Sequence, residues 1–507
     1  MKLKRITRLI YLAALSLIGL SNSNVKANNL TIGTPTVVGS NLQFTISWEN
    51  SWNVSLSPGN YDAVWVFVKR QACVDNLWTH SLLSTTSGDH SVTGGVLQVD
   101  AVADGMGVFI RRSALGNGTI ATATVTLALQ TAANAVDNFQ VFGTEMVNIP
   151  EGDFWIGDGS NGLTNGAGNS AHGFKPVLIT NAIQTAGIGG TLNYKANSNY
   201  GSNTPLPATY PLGWNSFYSM KYEISQEQYV SYLNTLTWTQ QASRTVVNPS
   251  SPVGTLAVAG NSAFPQRNRI EIKTSGVTNT TPAVYGCDLN NNGVFDETDD
   301  GQNIACNWLA WSDLMAYLDW AALRPMTEFE YEKICRGAAP IYLPSEMAWS
   351  SVSTTQTTSN MLNNPGTASE TSTASGNGLC AFGAPANSTF GPLRCGFAAG
   401  AATTKAQAGG SWWGVMEMTG NVWEQCVGGH NSNYSNFTNA CGDGTLSAGG
   451  GANTANWPIL GGGTNGGVIR GGGFDATFSQ MRVSDCLYMG QNPNSVKAGS
   501  IGGRGVR

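Results

Sequence analysis

Apolar and polar positions change rhythm along this chain. Leu42, Phe44, Ile46 and Trp48 alternate with polar residues, as a strand with one buried face requires, while Ala63 to Val68 is an unbroken apolar run suited to an interior strand. Val96–Val102, Gly107–Ile110 and Ala121–Leu129 add three more strands between Gly, Ser and Asn turns. Short strands spaced this way predict an all-β sandwich over residues 28–140. It carries no chemical motif, so attachment, spacing, partner binding and passive folding all remain open for it.

From Glu145 onward the period becomes helical in three places. Ser225 and Gln228 make a capping box ahead of Tyr229, Tyr232, Leu233 and Leu236 on one face. Leu314, Tyr317, Leu318 and Ala321 form a similar face that must stop before Pro325. Thr327 and Glu330 make a second capping box, with Met326 and Tyr331 placed to staple across it and Gly337 as a left-handed stop. Three short helices among Gly- and Asn-rich connections predict an α+β class for residues 145–507, with the Ser/Thr-rich stretch Ser350–Ser375 as a surface loop.

Composition fits ordered loops: 62 of the 507 residues are glycine and only 11% are charged. A net charge of −5 with no basic run after residue 8 removes any electrostatic footprint for nucleic acid. Residues 1–27 carry Lys2, Lys4, Arg5 and Arg8, then an apolar run from Leu9 to Leu20, then a polar stretch ending Val25-Lys26-Ala27. That layout predicts a cleaved secretory signal, a mature chain starting near Asn28, and a secreted, cell-surface or periplasmic location. The run is shorter than the ~20 residues of a membrane span, and no later stretch is longer. Export makes the nine cysteines candidates for disulfides. No CxxC pair and four scattered histidines (80, 90, 172 and 430) argue against zinc and histidine-rich iron sites.

One segment reads as a metal loop from its own residues. In DLNNNGVFDETD at 288–299, Asp288, Asn290 and Asn292 take the first, third and fifth positions of a calcium loop, Gly293 the sharp turn, Val294 the backbone carbonyl, Asp296 the ninth position and Asp299 the twelfth. The alternative is a polar Asn-Gly turn. Calcium here would be structural.

Five ordered segments carry a resemblance: EMVNIPEGDFWIG at 145–157, FYSMKYEISQEQYVSYLN at 217–234, RPMTEFEYEKICRG at 324–337, GVMEMTGNVWEQ at 414–425 and VIRGGGF at 468–474. Together they resemble the formylglycine-generating enzymes, the sulfatase-modifying-factor domain. The resemblance implies a loop-rich C-type-lectin-like fold braced by calcium and disulfides, and copper(I) held by two thiolates shortly after the arginine of the last motif. Counting forward from Arg470 puts the first thiolate at Ala476, counting back from Arg482 puts the second at Phe478, and Gly473 stands for the motif's serine. Neither Ala476 nor Phe478 ligates a metal, so copper is not expected. The resemblance also implies calcium around Glu417, Gly420, Val422 and Glu424, a further site around Asn360, Met361, Asn377 and Leu379, and a disulfide between Cys335 and Cys486. Sequence proximity then pairs Cys287 with Cys306, Cys380 with Cys395 and Cys426 with Cys441, leaving Cys73.

Three functions follow as expectations. The first is a non-catalytic, calcium-stabilised binding or assembly module for an extracellular glycan or protein, with Tyr434 and Phe437 as candidate binding surface. The second is an oxidase with a rearranged site near Asp475, Arg482 and Asp485. The third is a hypervariable lectin-like binder, suggested by the closing GGRGVR.

Overall fold

The computed structural model describes residues 29–73, 77–157, 176–186, 206–338, 342–385, 388–400, 403–428, 436–458, 468–485 and 497–507. The expected signal segment lies outside them. Strand Asn41–Asn53 alternates as predicted, with Leu42, Phe44, Ile46 and Trp48 buried. It pairs with Gly116–Leu127, and Thr31–Ile32, Thr36–Val38 and Ser91–Val92 complete a five-stranded sheet. A second sheet runs Arg324–Pro325, Gly505–Val506, Phe217–Met220, Asn138–Ile149, Asp62–Gln71, Val108–Arg112, Leu97–Ala101, with Trp78–Ser81 also on Asp62–Gln71. Val64, Val66, Val68, Val108 and Ile110 of this sheet share one core with the inward residues of the first.

The expected border at 140–145 falls inside a single strand. Asn138–Ile149 pairs with Asp62–Gln71 over 138–147 and with Phe217–Met220 over 146–149, so one sheet runs through both regions. The apolar run Ala63–Val68 is explained by this: its second face, Ala63, Trp65 and Phe67, packs with Tyr317 and Trp320 of the helical region. Trp65 Nε1 donates to the Ala321 carbonyl at 2.9 Å, and the Phe67 ring stands edge-on to Trp320 at 5.1 Å. Burial of rings this large contributes roughly 2–3 kcal/mol each, which ties the regions together.

Beyond the sheets the structure is loop-rich, with short helices. Both halves of the capping boxes form at Ser225/Gln228 and Thr327/Glu330, starting helices Gln226–Leu233 and Glu328–Arg336, and Met326 and Tyr331 lie in one buried cluster. Helix Trp311–Trp320 buries Leu314, Tyr317 and Leu318 and stops before Pro325. Two helices had no expectation: Asn181–Ala186, and Trp238–Arg244, which Thr237 and Gln240 cap. Gly337 ends its helix at φ 79°, ψ −154°, outside the left-handed helical region and open only to glycine. A Cβ there would stand 2.1 Å from the Trp412 ring.

The Ser350–Ser375 stretch is not a plain surface loop. It holds strands Thr355–Thr357, Leu362–Asn363 and Thr371–Ser372, and it buries Glu370 completely against Arg267 and the Arg394 backbone. Among the described residues no helix is long and apolar enough to cross a membrane.

Candidate functional site

Strand Trp423–Cys426 sets one edge of the site, pairing antiparallel with Val468–Arg470 and parallel with Ile501–Gly502. Arg470, fully buried, donates to Glu332 at 2.5 Å and to the Asp485 carbonyl at 2.6 Å. Glu332 also meets Arg336 at 3.0 Å, and Arg336 meets Glu346 at 2.9 Å. Two acids and two guanidinium groups are thus neutralised without solvent, the arrangement that buried charge requires.

The loop after Arg470 holds the positions implied for copper. Ala476 is buried, its N–H donating to the Gly473 carbonyl at 2.9 Å, and Phe478, 42% exposed, starts a short 3-10 turn. At Gly473 a Cβ would stand 2.9 Å from both the Ser500 carbonyl and the Trp423 ring, so not even serine fits. Burial raises the Asp475 carboxyl, which the Ser500 hydroxyl bonds, while the Asp485 N–H closes a turn on the Arg482 carbonyl at 3.0 Å.

The disulfide expectations are corrected. All eight cysteines among the described residues are free thiols, so Cys287–Cys306, Cys380–Cys395 and Cys426–Cys441 are not formed, and Cys486, the partner expected for Cys335, lies outside those residues. Closeness in sequence carries over only in part: Cys287 and Cys306 lie in one buried cluster, whereas Cys380 and Cys395 belong to different clusters and Cys426 is buried with Cys335. Burial pushes the thiols of Cys335, Cys380, Cys395 and Cys426 up, against the thiolate form that ligates soft metals.

The implied calcium positions form a buried acidic group. Glu424 Oε1 accepts from Arg504 at 2.6 Å, and Glu417 Oε1 accepts the Gly396 N–H at 3.0 Å. Glu223, which sequence reasoning missed, accepts the Val422 N–H at 2.9 Å and the Asn421 amide at 2.5 Å. Burial raises all three acids, Glu417 to about 7, with Glu424 adding to the rise at Glu223. The second oxygens of Glu417 and Glu424 are buried without hydrogen bonds. Arg504 supplies Glu424 with a fixed positive charge. In the other implied set, the Met361 carbonyl accepts from Thr373 at 2.8 Å, the Asn377 carbonyl from Thr355 at 2.9 Å, and Asn360 is bonded by Thr358, while Leu379 sits in a parallel strand pair.

In the 288–299 loop, Asp288 accepts the Asn292 and Gly293 N–H groups at 3.0 Å each, and Asn292 accepts the Val294 N–H at 2.7 Å. Asp296 accepts the Cys287 N–H at 2.9 Å and pairs with Lys273 at 2.8 Å. Asn290 and Asp299 meet each other at 3.3 Å. Of the expected binding surface, Tyr434 lies outside the described residues and Phe437 is corrected: it is fully buried, beside Tyr210.

A cavity of about 360 Å³ opens between the two regions, lined by Trp52 and Asn60 from one side and Tyr222, Lys405, Trp412 and Trp413 from the other. Trp52 Nε1 donates to Asn60, and Asn60 donates to the Trp413 carbonyl at 2.8 Å, which fixes the wall.

Mostly β, loop-rich and braced by buried ion pairs, the molecule is a scaffold of irregular segments held by placed charge. Residues 135–507 match the family model described as a sulfatase-modifying factor enzyme 1-like domain, and the chain belongs to that family. No curated protein matches it.

Proposed function

We propose that the chain is an exported, non-catalytic binding or assembly module, a β-sandwich over 28–140 joined to a C-type-lectin-like family domain, that engages an extracellular glycan or protein. The observation that carries this reading is the loop after Arg470, where the implied thiolate positions are Ala476 and Phe478 and Gly473 has no room for a side chain. The aromatic cavity supports it: indole and phenol rings with a few polar groups suit stacking against a sugar ring or a peptide side chain. Calcium in this reading stiffens loops and performs no chemistry.

The test is mass spectrometry of a cysteine-containing sulfatase-type peptide after incubation with the purified mature protein, copper(I) and oxygen, beside an active family enzyme. No conversion is expected. Formylglycine in the peptide would sink the proposal and make the chain an oxidase with a rebuilt site.

A further inference from the structure

We infer that the outer edge of strand Asn138–Ile149 is a docking site for an extended polypeptide segment of a partner protein, one with apolar residues at alternate positions and a lysine or arginine, which joins the central sheet as an added strand. This rests on the chain being a binding module and selects a protein partner over a glycan. Phe217–Met220 covers that edge only over residues 146–149, and among the described residues no strand covers 139–145. The Glu145 carbonyl accepts the Lys221 N–H on this side at 2.9 Å, while the Asn148 N–H donates to the Tyr61 carbonyl on the other at 2.9 Å. Backbone groups alternate between the two sides of an antiparallel strand, so Phe139, Val141 and Gly143 turn both N–H and C=O to the open edge. There they make no backbone hydrogen bond among the described residues. A row of free donors and acceptors at strand spacing is the template that an added strand completes.

A cavity of about 740 Å³ runs along this edge and begins where the chain leaves the sheet after Met220. Leu30 and Ile32 close it on the side of the sandwich core, beside Phe139 and Val141. On the other side stand Trp320, whose ring meets Phe142 at 4.9 Å, and Gln228 and Ser231 of helix Gln226–Leu233. Two walls leave room between them for one extended chain, so a tail or loop enters where the edge of a second folded sheet does not. At ~3.3 Å per residue the free stretch from Phe139 to Glu145 is about 20 Å long, enough for a strand of about seven residues. Successive side chains of such a segment turn to opposite walls, one of them aliphatic, which calls for an apolar residue at every second position. Charge narrows the partner further. No lysine, arginine or histidine lines the cavity, whereas Glu145, Glu223 and Glu227 do. Lys221 already pairs with Glu145 at 2.8 Å and Glu223 is buried, which leaves the exposed Glu227 to meet a cation on the incoming segment.

Fluorescence anisotropy tests the assignment: a dye-labelled peptide of alternating valine and threonine with a central lysine is titrated with the full mature chain, and circular dichroism checks each variant's fold. Val141→Pro removes an outward N–H and keeps the ladder to Asp62–Gln71, because proline fits a strand where its nitrogen faces away from the paired neighbour; it should weaken binding at least about tenfold. Val141→Thr keeps that N–H and a branched side chain and should bind within about twofold of the unaltered chain. Glu227→Lys should weaken binding about threefold at low salt and less at high salt. Because Glu227 is exposed, its variant tests the site even if Val141→Pro does not fold, and unchanged binding there would then overturn it. Equal binding by a folded Val141→Pro and the unaltered chain, or no anisotropy change at millimolar chain, would also overturn the strand site. A dimer in sedimentation that Val141→Pro turns into a monomer would make the occupant a second copy and overturn the choice of partner. Formylglycine in the sulfatase-type peptide would sink the binding-module reading and leave these results standing, so the two failures are told apart.

Discussion

The two faces of strand Asp62–Gln71 meet different solutions to burial. One face, Val64, Val66 and Val68, enters a core of aliphatic and aromatic side chains between two sheets. The other, Trp65, Phe67 and Lys69, enters the family region, where Lys69 is almost fully buried and donates to the carbonyls of Trp320 at 2.7 Å and Gly444 at 2.6 Å. Burial pushes that lysine well down. The first face is held by non-directional burial and tolerates swaps that conserve volume. The second is held by partners fixed one by one, so single deletions there act more sharply.

The largest effect expected from this contrast lies in the family region. Arg470→Met leaves Glu332 and Arg336 to balance without their buried partner and should lower unfolding free energy by about 3–5 kcal/mol, with Glu332→Gln added in the double variant recovering part of it. Guanidinium denaturation measures both, and equal losses in single and double variants would mean that the ion pair is not what stabilises the site. Next, Trp65→Ala should cost about 3–5 kcal/mol and Val66→Ala roughly 2 kcal/mol. Both should shift one cooperative transition, because the strand serves both cores. Two resolved transitions, only one of them moved by Val66→Ala, would show that the regions fold apart.

A further effect is a pH slope. Burial raises Glu417 to about 7 in the folded chain, against ~4.3 for an exposed glutamate. Between those values the folded state holds the proton and the unfolded state does not, so the contribution is complete below about pH 4.3 and is lost as pH rises through about 7. It amounts to roughly 4 kcal/mol at most. Glu417→Gln should flatten the decline in denaturation midpoint between pH 5 and 8, and an unchanged slope would assign the effect to other groups.

Period-two strands were legible because one or both faces are apolar, and the capping boxes because their residues lie three apart. Strand Asn138–Ile149 was not, since Gly143 reads as a break. Its lack of a side chain is what admits Ile32, whose Cδ1 would lie 2.4 Å from a Cβ. The missing thiolates were visible by counting forward from Arg470 and back from Arg482, whereas Glu223 reaches the acidic group through tertiary contact alone and left no local signal. Asp296 fills a ligand position of the loop motif, while its pairing with Lys273 left no local signal. Phe437 sits among asparagines that suggest solvent, yet Tyr210 covers it.

The central sheet also constrains the order of folding. Gly505–Val506 lies between Phe217–Met220 and Arg324–Pro325, so strands from the middle of the chain cannot complete their pairing until the last residues arrive. Closing contacts across such separations is entropically slow. During synthesis the sheet waits with an open edge until residues 505–506 join it, and such an edge is open to pairing with other chains.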